Sequence, residues 1–100
     1  MKYNKLVRDK IPEIIKRSGS NPISHIANDP EYLEKLKDKL KEEVDEFLNS
    51  NSKEELVDIL EVIDSICEFK KINKKDLEII RKKKADERGQ FNKRIILGED

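Results

Sequence analysis

Two apolar-periodic segments meet at a short polar turn, Asn49-Ser50-Asn51-Ser52, and that arrangement limits this chain more than any other feature. Segments of this kind fold as antiparallel helices with a tight connection. Leu33, Leu36, Leu40, Val44 and Phe47 make the stripe of the first helix. Leu56, Ile59, Leu60, Ile63 and Cys67 make that of the second, widened by Val62 and Ile66. For a turn centred between Ser50 and Asn51, residues whose numbers sum to 101 lie level, which pairs Glu46 with Glu55 and Glu43 with Asp58.

Four carboxylates then converge on one spot. Left alone they repel and raise at least one pKa, whereas a divalent cation satisfies them all. Oxygen-only ligands favour magnesium, manganese or calcium over zinc. At about 100° per residue, Glu43 projects from within the apolar stripe, between Leu36 and Lys39, where an ionised group without a partner is costly. Glu42 and Glu46 lie on one flank, and Asp45 points to solvent. Two plainer explanations compete with a metal site. Ser52 and Glu55 have the spacing of a capping box, and helical pairs with lysines such as Lys39 are worth about 0.2 to 0.5 kcal/mol each.

The rest of the chain reads as helices too. Asp9 is expected to cap a short first helix with Pro12 in its opening turn and Ser18-Gly19 at its end. A loop over 18–29 follows, with Ile23-Ser24-His25-Ile26 as a brief extended piece and His25 as an incidental loop residue. Asp29-Pro30 starts the second helix, which runs to about Leu48. Ser52 caps the third, to about Lys70, and Asn73 caps a fourth that Gly89 terminates. The expected fold is an all-α bundle of about four helices around the central antiparallel pair, in one domain spanning 1–100.

A chain of 100 residues with five aromatics has a thin core. The apolar face of the third helix, from Val62 round to Leu60, exceeds what one neighbour covers, so a homodimer or higher homo-oligomer is expected to complete the core. A formal charge of zero supplies no global field for nucleic acid. The N-terminus, Met1-Lys2-Tyr3-Asn4-Lys5, lacks the apolar run of a signal peptide, and no stretch approaches the roughly 18 apolar residues of a membrane span. A cytoplasmic protein is expected, with Cys67 as a small core residue.

Glu42-Glu43-Val44-Asp45-Glu46 followed by Glu55-Leu56-Val57-Asp58 resembles the paired Glu-Glu-x-x-Glu and Glu-x-x-Asp signature of the MazG-like all-α nucleoside triphosphate pyrophosphohydrolases, which include phosphoribosyl-ATP pyrophosphohydrolase. The opening Tyr3-Asn4-Lys5-Leu6-Val7-Arg8-Asp9-Lys10-Ile11-Pro12 and the closing Arg88-Gly89-Gln90-Phe91-Asn92-Lys93-Arg94-Ile95-Ile96-Leu97 resemble those of an uncharacterised branch of that superfamily. A second Glu-x-x-Asp, Glu61 to Asp64, stands at the separation more usual in the superfamily. Its level partners, Lys37 and Leu40, lie about 9 Å of helix rise from Glu43 and Glu46, which favours Glu55 and Asp58.

The resemblance implies a magnesium- or manganese-dependent hydrolase that splits a nucleotide substrate between its α- and β-phosphates, with a role in nucleotide-pool sanitation. Glu43, Glu46, Glu55 and Asp58 would hold the metal, and Glu42 would orient the attacking water. On the fourth helix, Leu77 and Ile80 begin an inward stripe that Arg81, Lys84 and Arg88 continue. These residues, with Lys93 and Arg94 turned back beyond Gly89, are the candidate phosphate-binding set. Lys5, Arg8 and Lys10 fit either the same pocket or a solvated surface. Two rivals come from other classes: a non-catalytic helical interaction module that keeps the fold, and a nucleic-acid contact through Arg81-Lys82-Lys83-Lys84, which zero net charge and the nearby carboxylates disfavour.

Overall fold

The central pair forms as the spacing predicts. The computed structural model describes residues 4–100, so Met1, Lys2 and Tyr3, the last of which opens the N-terminal motif, lie outside the described residues. It holds four helices and no strand among those residues: α1 (Ile11–Arg17), α2 (Asp29–Ser50), α3 (Lys53–Phe69) and α4 (Lys74–Arg88). The fold is all-α, as expected. The Ile23–Ile26 stretch has no regular structure, and His25 Nε2 lies 2.8 Å from Glu31 Oε1 in the first turn of α2.

The helix ends follow local chemistry more closely than the sequence expectations did. Asn28, not Asp29, is the N-cap of α2, its side chain accepting from the Glu31 N–H at 3.1 Å, and Asp29 joins the acidic first turn beside Pro30. Lys10 rather than Asp9 precedes α1, without a side-chain cap. At the far end α2 runs two residues past Leu48. Asn51 then takes the left-handed conformation (φ 56°, ψ 23°) and its N–H donates to Phe47 O at 2.7 Å. Asparagine tolerates that region better than most residues. The connection is therefore only Asn51 and Ser52.

Along this hairpin α2 packs on α3, the one extensive helix–helix interface among the described residues. Leu36 is buried on α2, with Val62 and Cys67 on α3. Tyr32 and Phe69 close the end remote from the turn, ring centroids 5.2 Å apart and edge to face. The phase of α3 differs from the expected one. Glu55, Asp58, Ile59, Val62 and Ile66 face the hairpin interface, while Leu56, Leu60 and Ile63 are exposed. Apolar residues cover two faces of α3, and α2 covers only one of them.

α4 departs further from expectation. No residue on it is buried, and Leu77 and Ile80 are 38% and 53% exposed. The inward stripe is not inward in the single chain, because α4 extends from the end of α3 instead of folding back on the hairpin. The radius of gyration is 17.9 Å, against about 13 Å for a compact domain of this length.

Candidate metal centre

Glu43 stands where the wheel puts it, in the middle of the packed face of α2, and is 5% exposed. Its Oε1 lies 3.3 Å from Lys39 Nζ, one turn earlier on the same helix. Its Oε2 is buried and receives no hydrogen bond. Loss of hydration raises the Glu43 pKa above the ordinary carboxylate value, Glu46 and Asp58 raise it further by repulsion, and Lys39 opposes the shift. A buried oxygen left in this state costs free energy unless something completes it.

Two sets of carboxylates share this residue. Glu43, Glu55 and Asp58 each offer an oxygen such that all lie within 4.8 Å of one another, and so do Glu42, Glu43 and Glu46. The level pairing of Glu43 with Asp58 is thus present. Glu55 groups with Glu43 and not with its level partner Glu46, which stands on the exposed flank of α2 with Glu42. The turn chemistry releases Glu55 for this. Ser52 Oγ accepts from the Glu54 N–H at 3.2 Å and donates to the Glu54 carboxylate, so the cap engages Glu54 and leaves the Glu55 side chain to the cluster.

The segment before α1 lies across the same site. Arg8 Nη2 donates to Asp58 Oδ1 at 2.7 Å, and Lys5 Nζ to Glu42 Oε1 at 3.2 Å; Lys39 Nζ is also 3.5 Å from Glu42 Oε1. Periodicity could not reveal this, because Arg8 and Asp58 are fifty residues apart. Five carboxylates face three cations, leaving two negative charges. That surplus, the oxygen-only donor set and the unpaired Glu43 Oε2 all fit one hard divalent cation such as magnesium or manganese.

Other acidic and basic candidates stand elsewhere. Asp64 pairs with Lys74 at 3.1 Å, and neither it nor Glu61 enters a ligand group among the described residues. Asp45 faces solvent and pairs with Lys41 at 2.7 Å. Arg81 pairs with Glu78 at 3.1 Å on its own helix. Arg81, Lys84, Arg88, Lys93 and Arg94 are all exposed, and none forms an ion pair with the five carboxylates. Arg81 lines a shallow open groove on α4 with Ala85 and Gly89, separate from the one that Glu42 and Glu46 line on α2.

Comparison with known proteins adds little to this geometry. No family model matches the chain, and no solved structure does. An uncharacterized protein of Mycolicibacterium smegmatis is 43% identical over 49 residues, which is 49% of this chain and 50% of that protein. The chain thus spans about half the length of the curated relative it matches.

Proposed function

We propose that this protein is a magnesium-dependent nucleoside triphosphate pyrophosphohydrolase that releases a nucleoside monophosphate and pyrophosphate. The observation that carries the reading is Glu43, buried with an unsatisfied oxygen and grouped with Glu55 and Asp58. Metal ligation by Glu43, Glu55 and Asp58, with Glu46 on the open flank, satisfies that oxygen and balances the charge. A bound magnesium ion would neutralise phosphate oxygens and make a bound water more acidic. Glu42, held between Lys5 and Lys39, has its carboxylate beside the ligands and is the group proposed to orient that water. The resemblance of the two acidic motifs to the MazG-like signature supports the same reading, and nucleotide-pool sanitation in the cytoplasm is the role it suggests.

The decisive assay is pyrophosphate release from a panel of canonical and modified nucleoside triphosphates, with and without magnesium. Magnesium-dependent release from at least one substrate is expected. Failure across the panel, together with failure to bind manganese, would refute the reading.

The exposed apolar faces support a second part of the proposal. Leu56, Leu60 and Ile63 on α3, with Ile79 and Ile80 on α4, are more apolar surface than an isolated hairpin leaves in water, and a second copy is proposed to cover it. In such a homodimer the basic stripe of α4 would lie against a partner. The same exposed surface favours the rival reading, a helical interaction module, and manganese binding at Glu43 separates the two.

A further inference from the structure

The segment that precedes α1 carries two cations to the acidic cluster from outside the central hairpin. Arg8 is fixed at both ends: its carbonyl accepts from the Ile11 N–H at 3.0 Å as the chain turns into α1, and its guanidinium donates to Asp58 at 2.7 Å. Leu6, between the two cations, is half-buried and anchors the segment. Lys5 reaches Glu42 on α2 while Arg8 reaches Asp58 on α3, so the segment straddles the two helices at the level of Glu43.

Arg8 has donors to spare. A guanidinium carries five N–H bonds in a planar fork, and one from Nη2 serves Asp58. The Arg8 side chain is 55% exposed, so solvent and solutes reach the guanidinium beside Asp58. Arginine in this position can hold a carboxylate through one edge and a phosphate through another.

We propose that Lys5 and Arg8 form the phosphate-binding arm of this site and receive the anionic tail of a metal–triphosphate complex beside the carboxylates. The proposal rests on the metal-dependent reading above and deepens it. It assigns the polyphosphate contact to the N-terminal segment of the same chain, where α4 of that chain does not reach. Asp58 serves two roles in this arrangement, as a candidate metal ligand and as the group that holds Arg8 in place. No base or sugar contact is required, so the arm selects for the triphosphate moiety.

Binding can be separated from turnover. Calorimetry would measure manganese alone, then the magnesium complex of inorganic tripolyphosphate added to magnesium-saturated protein, for wild type, Arg8→Gln, Lys5→Gln and Arg8→Lys. Arg8→Gln is expected to weaken tripolyphosphate at least tenfold while manganese binds as tightly as in wild type or more so, since a competing cation has gone. Arg8→Lys should restore part of the loss, and Lys5→Gln should lose less than Arg8→Gln. Unchanged tripolyphosphate affinity in a folded Arg8→Gln protein that still binds manganese would overturn the arm and leave the metal reading intact. Parallel loss of manganese and tripolyphosphate would reduce Arg8 to a support for Asp58 and overturn it too. Wild-type protein that takes no manganese would overturn both readings.

Discussion

Tyr32 and Phe69 meet edge to face eleven residues from Glu43 and Asp58 respectively, so the aromatic contact and the carboxylate contact lie on one register of the α2–α3 hairpin. The ring pair holds at its far end the alignment that the site requires near the turn. Phe69→Ala should destabilise the fold by roughly 2 kcal/mol, below the 3 to 5 of a fully buried ring because both rings are partly exposed. Urea unfolding followed by circular dichroism measures it. A double-mutant cycle with Tyr32→Ala should return a coupling of about 0.5 to 1.5 kcal/mol.

Glu43 is the strongest test of the centre. Glu43→Gln keeps the shape and removes the charge, and it should abolish magnesium-dependent turnover with helicity unchanged. Asp58→Asn should do the same. Asp45→Asn removes only a solvent-exposed pair with Lys41, which water and salt screen, and should leave activity within experimental error of wild type. Substantial loss of activity in Asp45→Asn would mean that the site is on the wrong face of α2.

The pH dependence of stability should have an unusual sign in chelator-treated protein. The Glu43 pKa is raised in the folded state, chiefly by loss of hydration, so between the ordinary value and the raised one the native protein holds a proton that the unfolded chain has released. The Glu43 contribution is therefore largest below the ordinary carboxylate pKa and is lost as pH rises through the folded value. Thermal denaturation across this range should show a decline in wild type that is reduced in Glu43→Gln. Near neutral pH without metal, Glu43→Gln should be the more stable protein, and added manganese should reverse the order.

Self-association is expected from the uncovered face of α3. Sedimentation of the wild type at micromolar concentration should give at least a dimer, and Leu60→Glu should shift it to monomer while the hairpin stays helical. A wild-type monomer throughout that range would refute the proposed homodimer.

Arg88 provides the contrast to Arg8. It is exposed at the end of α4 and forms no ion pair with the carboxylates. Arg88→Ala should change kcat/KM by no more than about 1 kcal/mol, roughly fivefold, and by less than Arg8→Gln does. A larger effect from Arg88 in steady-state kinetics would argue that α4 serves a site, with a second copy as the natural route.

The parts of this fold that were legible in the sequence are those set by local periodicity. The stripe containing Leu36 and Glu43 gave the buried face of α2, and the short turn gave the register that joins Glu43 to Asp58. On α3 the periodicity points to the wrong face: Leu56, Leu60 and Ile63 read as the core stripe, yet they are exposed and the face that packs is the one carrying Val62 and Ile66, because two apolar faces satisfy the same spacing. The stripe of α4 reads as inward because Leu77 and Ile80 have the right spacing, but spacing carries no information on whether a partner helix is present. The sequence leaves Arg8 and Lys5 open for a related reason: ion pairs between distant segments leave no periodic trace. The cap at Asn28 is not legible for a smaller one, since Asn28 and Asp29 are both good capping residues and only the backbone chooses between them.

The contact between Arg8 and Asp58 also implies an expected order of assembly. The hairpin closes across two residues and needs only neighbouring chain, whereas Arg8 must return across a fifty-residue span to a surface that exists only after α2 and α3 have packed. The site is thus completed by the least local of its contacts, and an exposed one. Mild denaturant should release residues 4–10 while the hairpin amides remain protected from hydrogen exchange, so a protein with full helical content can still have an incomplete site.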